Sequence, residues 1–246
     1  MKKYFLFTVL ALILVSCQIT ERFYLNESGA VKYENEINFT EMLSFLYDEH
    51  TKDSLRQTGD FPLDTIISFA ELENFDQLNP GESSQAEIEF MKSMDKTNVH
   101  MIINDNEGKM TVRIEEKNIE AFNVYLEKVN TAMRKLEKED PEAAAEIGQS
   151  GMMNSLQMKY DGKIFQRIAD NPNHLLNEMD DSLAEATRGM MNMFQYKMEY
   201  HFPKRIKNSS LENATYSLDG KVMTVDVSMG EILENPDKFN FEIELE

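Results

Sequence analysis

Residues 194–202 read FQYKMEYHF, with Phe194, Tyr196, Met198, Tyr200 and Phe202 separated by Gln195, Lys197, Glu199 and His201. Successive side chains of a β-strand point to opposite faces, so this segment buries one largely aromatic face and presents a polar one to water. The C-terminal FNFEIELE follows the same rule, with Phe239, Phe241, Ile243 and Leu245 alternating with Asn240, Glu242, Glu244 and Glu246. A chain with such strands must build a sheet with one dry face and supply something to cover it. Helices would satisfy that demand, and so would a lipid received by a curved sheet.

Three hairpins provide further strands. Ile19–Asn26 and Ala30–Phe39 flank Glu27-Ser28-Gly29, while Val99–Asn104 and Lys109–Glu115 flank Asn106-Glu107-Gly108. Ala214–Ser217 and Lys221–Ser228 flank Leu218-Asp219-Gly220. Tight hairpin turns demand a positive φ that glycine adopts without penalty, which is the role expected of Gly108 and Gly220. Each returning strand leads into a helix-like segment: Thr40–Glu49, Asn118–Glu137 and the shorter Gly230–Asn235. The stretches GKMTVRIEEKNIEAF and GKVMTVDVSMGEIL echo one another, as an internal repeat or through shared hairpin mechanics.

The middle of the chain has a different period. Ile119, Phe122, Leu126, Val129, Met133 and Leu136 recur at steps of three and four within Asn118–Glu139, an amphipathic helix. Pro141 fits the first turn of a second helix over Glu142–Ile147. Met152, Met153, Met158, Met179, Met190, Met191, Met193 and Met198 then concentrate eight of the seventeen methionines in one stretch. Methionine fills irregular cores, lines adaptable contact surfaces and, through its thioether, binds Cu(I). Nothing spaces these methionines around a cysteine or paired histidines. The expected fold is α+β: an antiparallel, hairpin-rich meandering sheet with helices packed on one face and a helical, Met-rich middle segment. Residues 17–246 are expected to form a single domain, with a helical insertion at about 117–192.

The N-terminus carries an export signal. Lys2 and Lys3 precede an apolar run from Tyr4 to Val15 of about a dozen residues, the length of a signal-peptide core and short of the roughly 20 needed to span a bilayer. The chain has a single cysteine, Cys17, which cannot form an internal disulfide. Leu14-Val15-Ser16-Cys17 resembles the lipobox of bacterial lipoproteins. The resemblance implies that residues 1–16 are a signal peptide cleaved between Ser16 and Cys17, and that Cys17 is acylated, palmitate being the usual label. Each buried CH₂ contributes about 0.8 kcal/mol, so several chains on one residue anchor stably. Lipoprotein sorting uses Asp after the cysteine for inner-membrane retention; Gln18 stands there instead and favours the outer membrane. Gln18-Ile19-Thr20-Glu21-Arg22 holds one acid, expected to be neutralised by its neighbour, and no acidic cluster, which favours the periplasmic face over the cell surface.

The formal charge of −19 becomes −21 once Lys2 and Lys3 leave with the signal. Nucleic acid is excluded as an electrostatic partner, because binding it needs a basic surface. His50, His100, His174 and His201 are scattered without metal-ligand spacing, and Ser93-Met94-Asp95-Lys96 matches SxxK without its partner motifs. The acidic turn at 104–108 would begin a calcium loop at Ile103, which has no ligating side chain. No cofactor, metal or catalytic set is therefore expected. Asp53-Ser54-Leu55, Asp64-Thr65-Ile66 and Asp181-Ser182-Leu183 resemble the Bacteroidota O-glycosylation sequon, which would make Ser54, Thr65 and Ser182 acceptors; DSL is equally a helix N-cap.

The lipobox, the hairpin-rich body, YHFPKRIKN and the terminal DGKVMTVDVSMGEILENPDKFNFEIELE resemble uncharacterised Bacteroidota outer-membrane lipoproteins. In layout the chain is also similar to the LppM-like lipoproteins, a resemblance that implies lipid or glycolipid contact by a curved sheet. The expected function is that of a non-enzymatic, membrane-anchored envelope lipoprotein binding a lipid, another hydrophobic ligand or an envelope protein. Met190, Met191, Met193, Phe194, Tyr196, Tyr200 and Phe202 form the candidate contact surface. The alternative is an envelope hydrolase with an unconventional carboxylate site, which a cleft holding two buried acids would favour.

Overall fold

The computed structural model of the chain describes residues 18–43, 47–59, 61–71, 83–148, 156–169, 185, 189, 191–192 and 194–246. The elements run β1 (Gln18–Leu25), β2 (Val31–Asn38), α1 (Glu49–Thr58), β3 (Leu63–Ser68), α2 (Gln85–Ser93), β4 (Thr97–Ile103) and β5 (Gly108–Glu116). There follow α3 (Ile119–Glu139), α4 (Pro141–Gly148), β6 (Leu156–Tyr160), β7 (Ile164–Ala169) and β8 (Gln195–His201). The chain ends with β9 (Ile206–Ser209), β10 (Thr215–Tyr216), β11 (Val222–Ser228), α5 (Met229–Glu234) and β12 (Phe241–Leu245). The fold is α+β and mostly antiparallel, as the alternating patterns predict.

The strands form two sheets. The larger has the order β10-β11-β8-β1-β2-β5-β4-β3 and the smaller β6-β7-β12-β9. Among the described strands all pairs are antiparallel except β1 with β8, which sets Gln18 beside Gln195, 177 positions later, in parallel register. Phe202 and Pro203 mark the turn that carries the chain from the larger sheet at β8 to the smaller at β9. On the larger sheet, Phe23, Tyr33, Ile114, Met198, Tyr200 and Met223 face inward and are buried. They meet Phe165, Phe241, Ile243 and Leu245 of the smaller sheet and Phe122, Leu126, Val129 and Leu136 of α3 in one cluster. Phe165 is the hinge of the contact, its ring lying 5.2 Å from both Phe23 and Phe202. A second small cluster of Leu43, Phe61 and Ile103 lies toward the β3 edge.

Helix α3 starts where its sequence says it should. Asn118 accepts a hydrogen bond from the Ala121 N–H at 2.8 Å, and the predicted apolar stripe is the buried stripe. Three sequence expectations need correction. Thr40–Glu49 is not one continuous helix: Thr40–Met42 is a 3₁₀ turn leading into a helical Leu43, residues 44–46 lie outside the described residues, and the chain is extended at Asp48, which caps α1 from Glu49. The middle segment is helical through α4, but 156–169 form the hairpin β6–β7, whose alternation is too short to announce itself against the helices before it. The sheet is also not one meander, since a second sheet supplies part of the cover.

The two turn glycines differ. Gly220 has φ +69, and a Cβ there would lie 2.9 Å from Arg205 Cγ. Gly108 does not adopt a positive φ; it is glycine because Phe39 and Leu43 cover it, and a Cβ would lie 2.6 Å from the Phe39 ring and 2.8 Å from Leu43. Denaturant unfolding should therefore separate them. Gly108→Ala should cost about 1–3 kcal/mol by overpacking, relieved in part by Phe39→Leu. Gly220→Val should cost about 1–3 kcal/mol by backbone strain, with no relief from that second change.

Candidate functional site

Glu21 sits at an inward position of β1, in phase with Ile19, Phe23 and Leu25, and is 1% exposed. An isolated buried carboxylate is prohibitively costly, so its partners decide whether the strand can exist. Arg167 on β7 reaches across from the smaller sheet and donates from Nε to Oε1 at 3.1 Å and from Nη2 to Oε2 at 3.0 Å. The Tyr196 hydroxyl donates to Oε2 at 2.6 Å, and the Tyr200 hydroxyl donates to Oε1. Arg167 completes its fork by donating from Nε to the Tyr200 hydroxyl at 2.8 Å and from Nη1 to the Phe239 carbonyl at 3.0 Å. Burial would raise the Glu21 carboxyl, but the guanidinium and the two hydroxyls more than offset it and hold it below its ordinary 4.5. Burial, reinforced by the Glu21 charge, pushes the Tyr196 hydroxyl up.

Every lone-pair direction of this carboxylate is engaged, which suits a strut and leaves no position for a reacting atom. The other buried acid among the described residues, Glu34, is on the outward side of β2 and accepts from Arg113 Nε at 2.8 Å. The two acids therefore do not share a cleft. Glu21 is also not neutralised by its neighbour: adjacent strand residues face opposite ways, and Arg22 pairs with Glu36 on the outer face at 3.3 Å.

The aromatic face read from FQYKMEYHF is real but is core. Tyr196, Tyr200 and Phe202 are buried beneath the smaller sheet and around the Glu21 bridge, so they present no outer surface. Met158, Met198 and Met223 are fully buried and fill gaps between the sheets. Met191 and Phe194 are half-buried at the entry to β8. Ser54 is exposed on α1 and Thr65 half-buried in β3. Ser16, Cys17, Ser182, Met190 and Met193 lie outside the described residues.

One inner-face region is left incompletely covered. Register pairs Met101 with Met110, Met110 with Ile37, and Ile37 with Ile19, giving an apolar row across β4, β5, β2 and β1. All four are half-buried. Ile19 packs against the main cluster and Met101 against the small one, whereas Ile37 and Met110 belong to neither cluster of described residues. Two residues along β2 from Ile37 is Asn35, paired with Glu21 in register and 7% exposed, whose buried Oδ1 has no hydrogen-bond partner among the described residues. An unsatisfied buried acceptor costs about 1–3 kcal/mol and needs a reason. Sequence reasoning missed Asn35 and Arg167. The available signal was a polar residue at an inward position of an otherwise apolar strand face. On the outer side of the same sheet end, Gln18, Asn38, Thr40, Glu41, Asn104, Asn106, Glu107, Lys109 and Gln195 line an open polar recess of about 760 Å³.

No protein-family model and no curated protein sequence matches the chain. Among solved structures, the folded domain of LppM from Mycobacterium tuberculosis shows a weak structural similarity: TM-score 0.40 at 8% identity, covering 94% of this chain and 89% of that one. No described helix is long and apolar enough to cross a membrane, and no group of His, Cys, Asp and Glu among the described residues could hold a metal ion.

The Glu21 bridge predicts acid sensitivity. Because its folded value is depressed, its stabilising contribution is fully present above the ordinary 4.5 and is lost as pH falls through the lower folded value. Glu21→Gln should destabilise by about 3–5 kcal/mol at neutral pH by stranding Arg167, and the difference from wild type should shrink below pH 4.5. Chemical denaturation at a series of pH values checks both statements; a pH-independent difference would contradict them.

Proposed function

We propose that the protein is an acylated outer-membrane lipoprotein facing the periplasm, and that its domain binds an amphipathic, lipid-like ligand without transforming it. The anchor rests on the signal segment and on Leu14-Val15-Ser16-Cys17. The binding role rests on one observation: the unpartnered Asn35 Oδ1 lies next to the incompletely covered pair Ile37 and Met110. A ligand with a hydrogen-bond donor at one end and an alkyl segment beside it would satisfy both at once. Monoacylglycerols and fatty alcohols have that chemistry. Burying one more CH₂ contributes about 0.8 kcal/mol, so each methylene seated on Ile37 and Met110 should tighten binding about four-fold.

Two measurements test this reading. In cells, Cys17→Ala should abolish palmitate incorporation and membrane fractionation; a normally fractionating variant would remove the anchor. In the purified chain, Asn35→Leu should stabilise the free protein by about 1 kcal/mol, because it removes an unsatisfied acceptor. The same change should weaken binding of a fluorescent monoacylglycerol about ten-fold, that is by about 1.4 kcal/mol. Destabilisation with unchanged binding would make Asn35 a merely structural residue.

A further inference from the structure

Cys17, outside the described residues, immediately precedes the first described strand in the sequence. Strand β1 begins at Gln18, paired with Asn38 of β2 on one side and Gln195 of β8 on the other. Cys17 is one peptide bond away, about 3.8 Å between Cα atoms. β1 is also a central strand of the larger sheet, so the described chain begins at the middle of that sheet's end. The next residues beyond the Gln18 pairs are Phe39 and Phe194, one on each flanking strand and both half-buried, Phe39 with part of its ring packed on Gly108 and the Leu43–Phe61–Ile103 cluster. Backbone hydrogen bonds fix their positions: the Phe39 N–H donates to the Gly108 carbonyl at 2.9 Å, and the Phe194 carbonyl accepts from the Met229 N–H at 2.9 Å.

Resting on the lipoprotein reading, we propose that this end of the larger sheet docks directly on the bilayer, with Phe39 and Phe194 as apolar contacts flanking the acyl chains. The amides of Gln18, Asn38, Asn104, Asn106 and Gln195 in the neighbouring recess suit the headgroup layer, and its charged groups, Glu41, Glu107 and Lys109, leave it one net negative charge. Glu107 holds Lys109 at 2.7 Å, so among the described residues the recess offers no free cation for anionic lipid, and the partner is a zwitterionic lipid surface. The opposite end of the sheet is then held away from the membrane. From Gln195 to His201 is six strand steps, about 20 Å. Val222 pairs with His201, so the turn carrying Leu218 lies at that far end.

The sequence makes the test clean, because it contains one cysteine and no tryptophan. Chain 17–246 would be coupled through Cys17 to a maleimide lipid in vesicles of phosphatidylcholine and phosphatidylethanolamine with brominated acyl chains. Every described element begins at or after Gln18, so this chain contains the whole described fold. Single reporters Phe39→Trp, Phe194→Trp and Leu218→Trp would be compared, with Gln195→Trp as an exposed alternative if a phenylalanine variant fails to fold. Bromine should quench Phe39→Trp and Phe194→Trp roughly two-fold or more beyond Leu218→Trp, the depth expected of an interfacial contact. Equal quenching at both ends, or none at either, would overturn the docking. Because the tether is formed chemically, this outcome is independent of whether cells acylate Cys17.

Discussion

A carboxylate at an inward position of a central strand sets the terms for the rest of this fold. Glu21 cannot be buried alone, and Arg167 cannot reach it unless the smaller sheet lies across the larger in one place and one register. The two tyrosines that complete the site come from β8, the parallel neighbour of β1, so the same four side chains fix the pairing of β1 with β8 and the docking of β7 over both. The net energy of such a group is modest, since desolvation consumes most of the Coulombic gain. Its effect is on choice: any other arrangement of the sheets strands a charge at a cost of several kcal/mol. The aromatic contacts centred on Phe165 supply the cohesive energy, and the ion pair says where it is to be applied.

Moving from that bridge toward the start of β1, the inner face changes from satisfied to unsatisfied within two residues of each strand. Asn35 is beside Glu21 in register and, among the described residues, has no donor for its carbonyl oxygen, and Ile37 and Met110, which follow, join no cluster of them. Strand register alone brings the start of β1, the half-buried row and the polar recess to one end of the larger sheet.

Much of this was legible in the sequence where the signal is local. Alternation gave β8 and β12, turn residues gave the hairpins β1–β2, β4–β5 and β10–β11, and the spacing of apolar residues gave α3 almost to its ends. What was hidden depends on distance along the chain. Glu21 and Arg167 are separated by 146 positions, and β7 follows a long helix that lends its neighbourhood a helical character. The aromatic face of residues 194–202 was correctly read as a face, but no local pattern says whether sheet, helix or ligand will cover it. Gly108 shows the same limit in small: its need for glycine comes from Phe39, brought over it by the pairing of β2 with β5.

The claim that the Glu21–Arg167 bridge makes the two sheets one cooperative unit is tested most directly by native-state hydrogen exchange. Amides in β7 and β12 should exchange with the same opening free energy as amides in β1 and β8, because separating the sheets strands the bridge and exposes the shared core. Exchange in β7 and β12 through a much smaller opening, with β1 and β8 still protected, would contradict it.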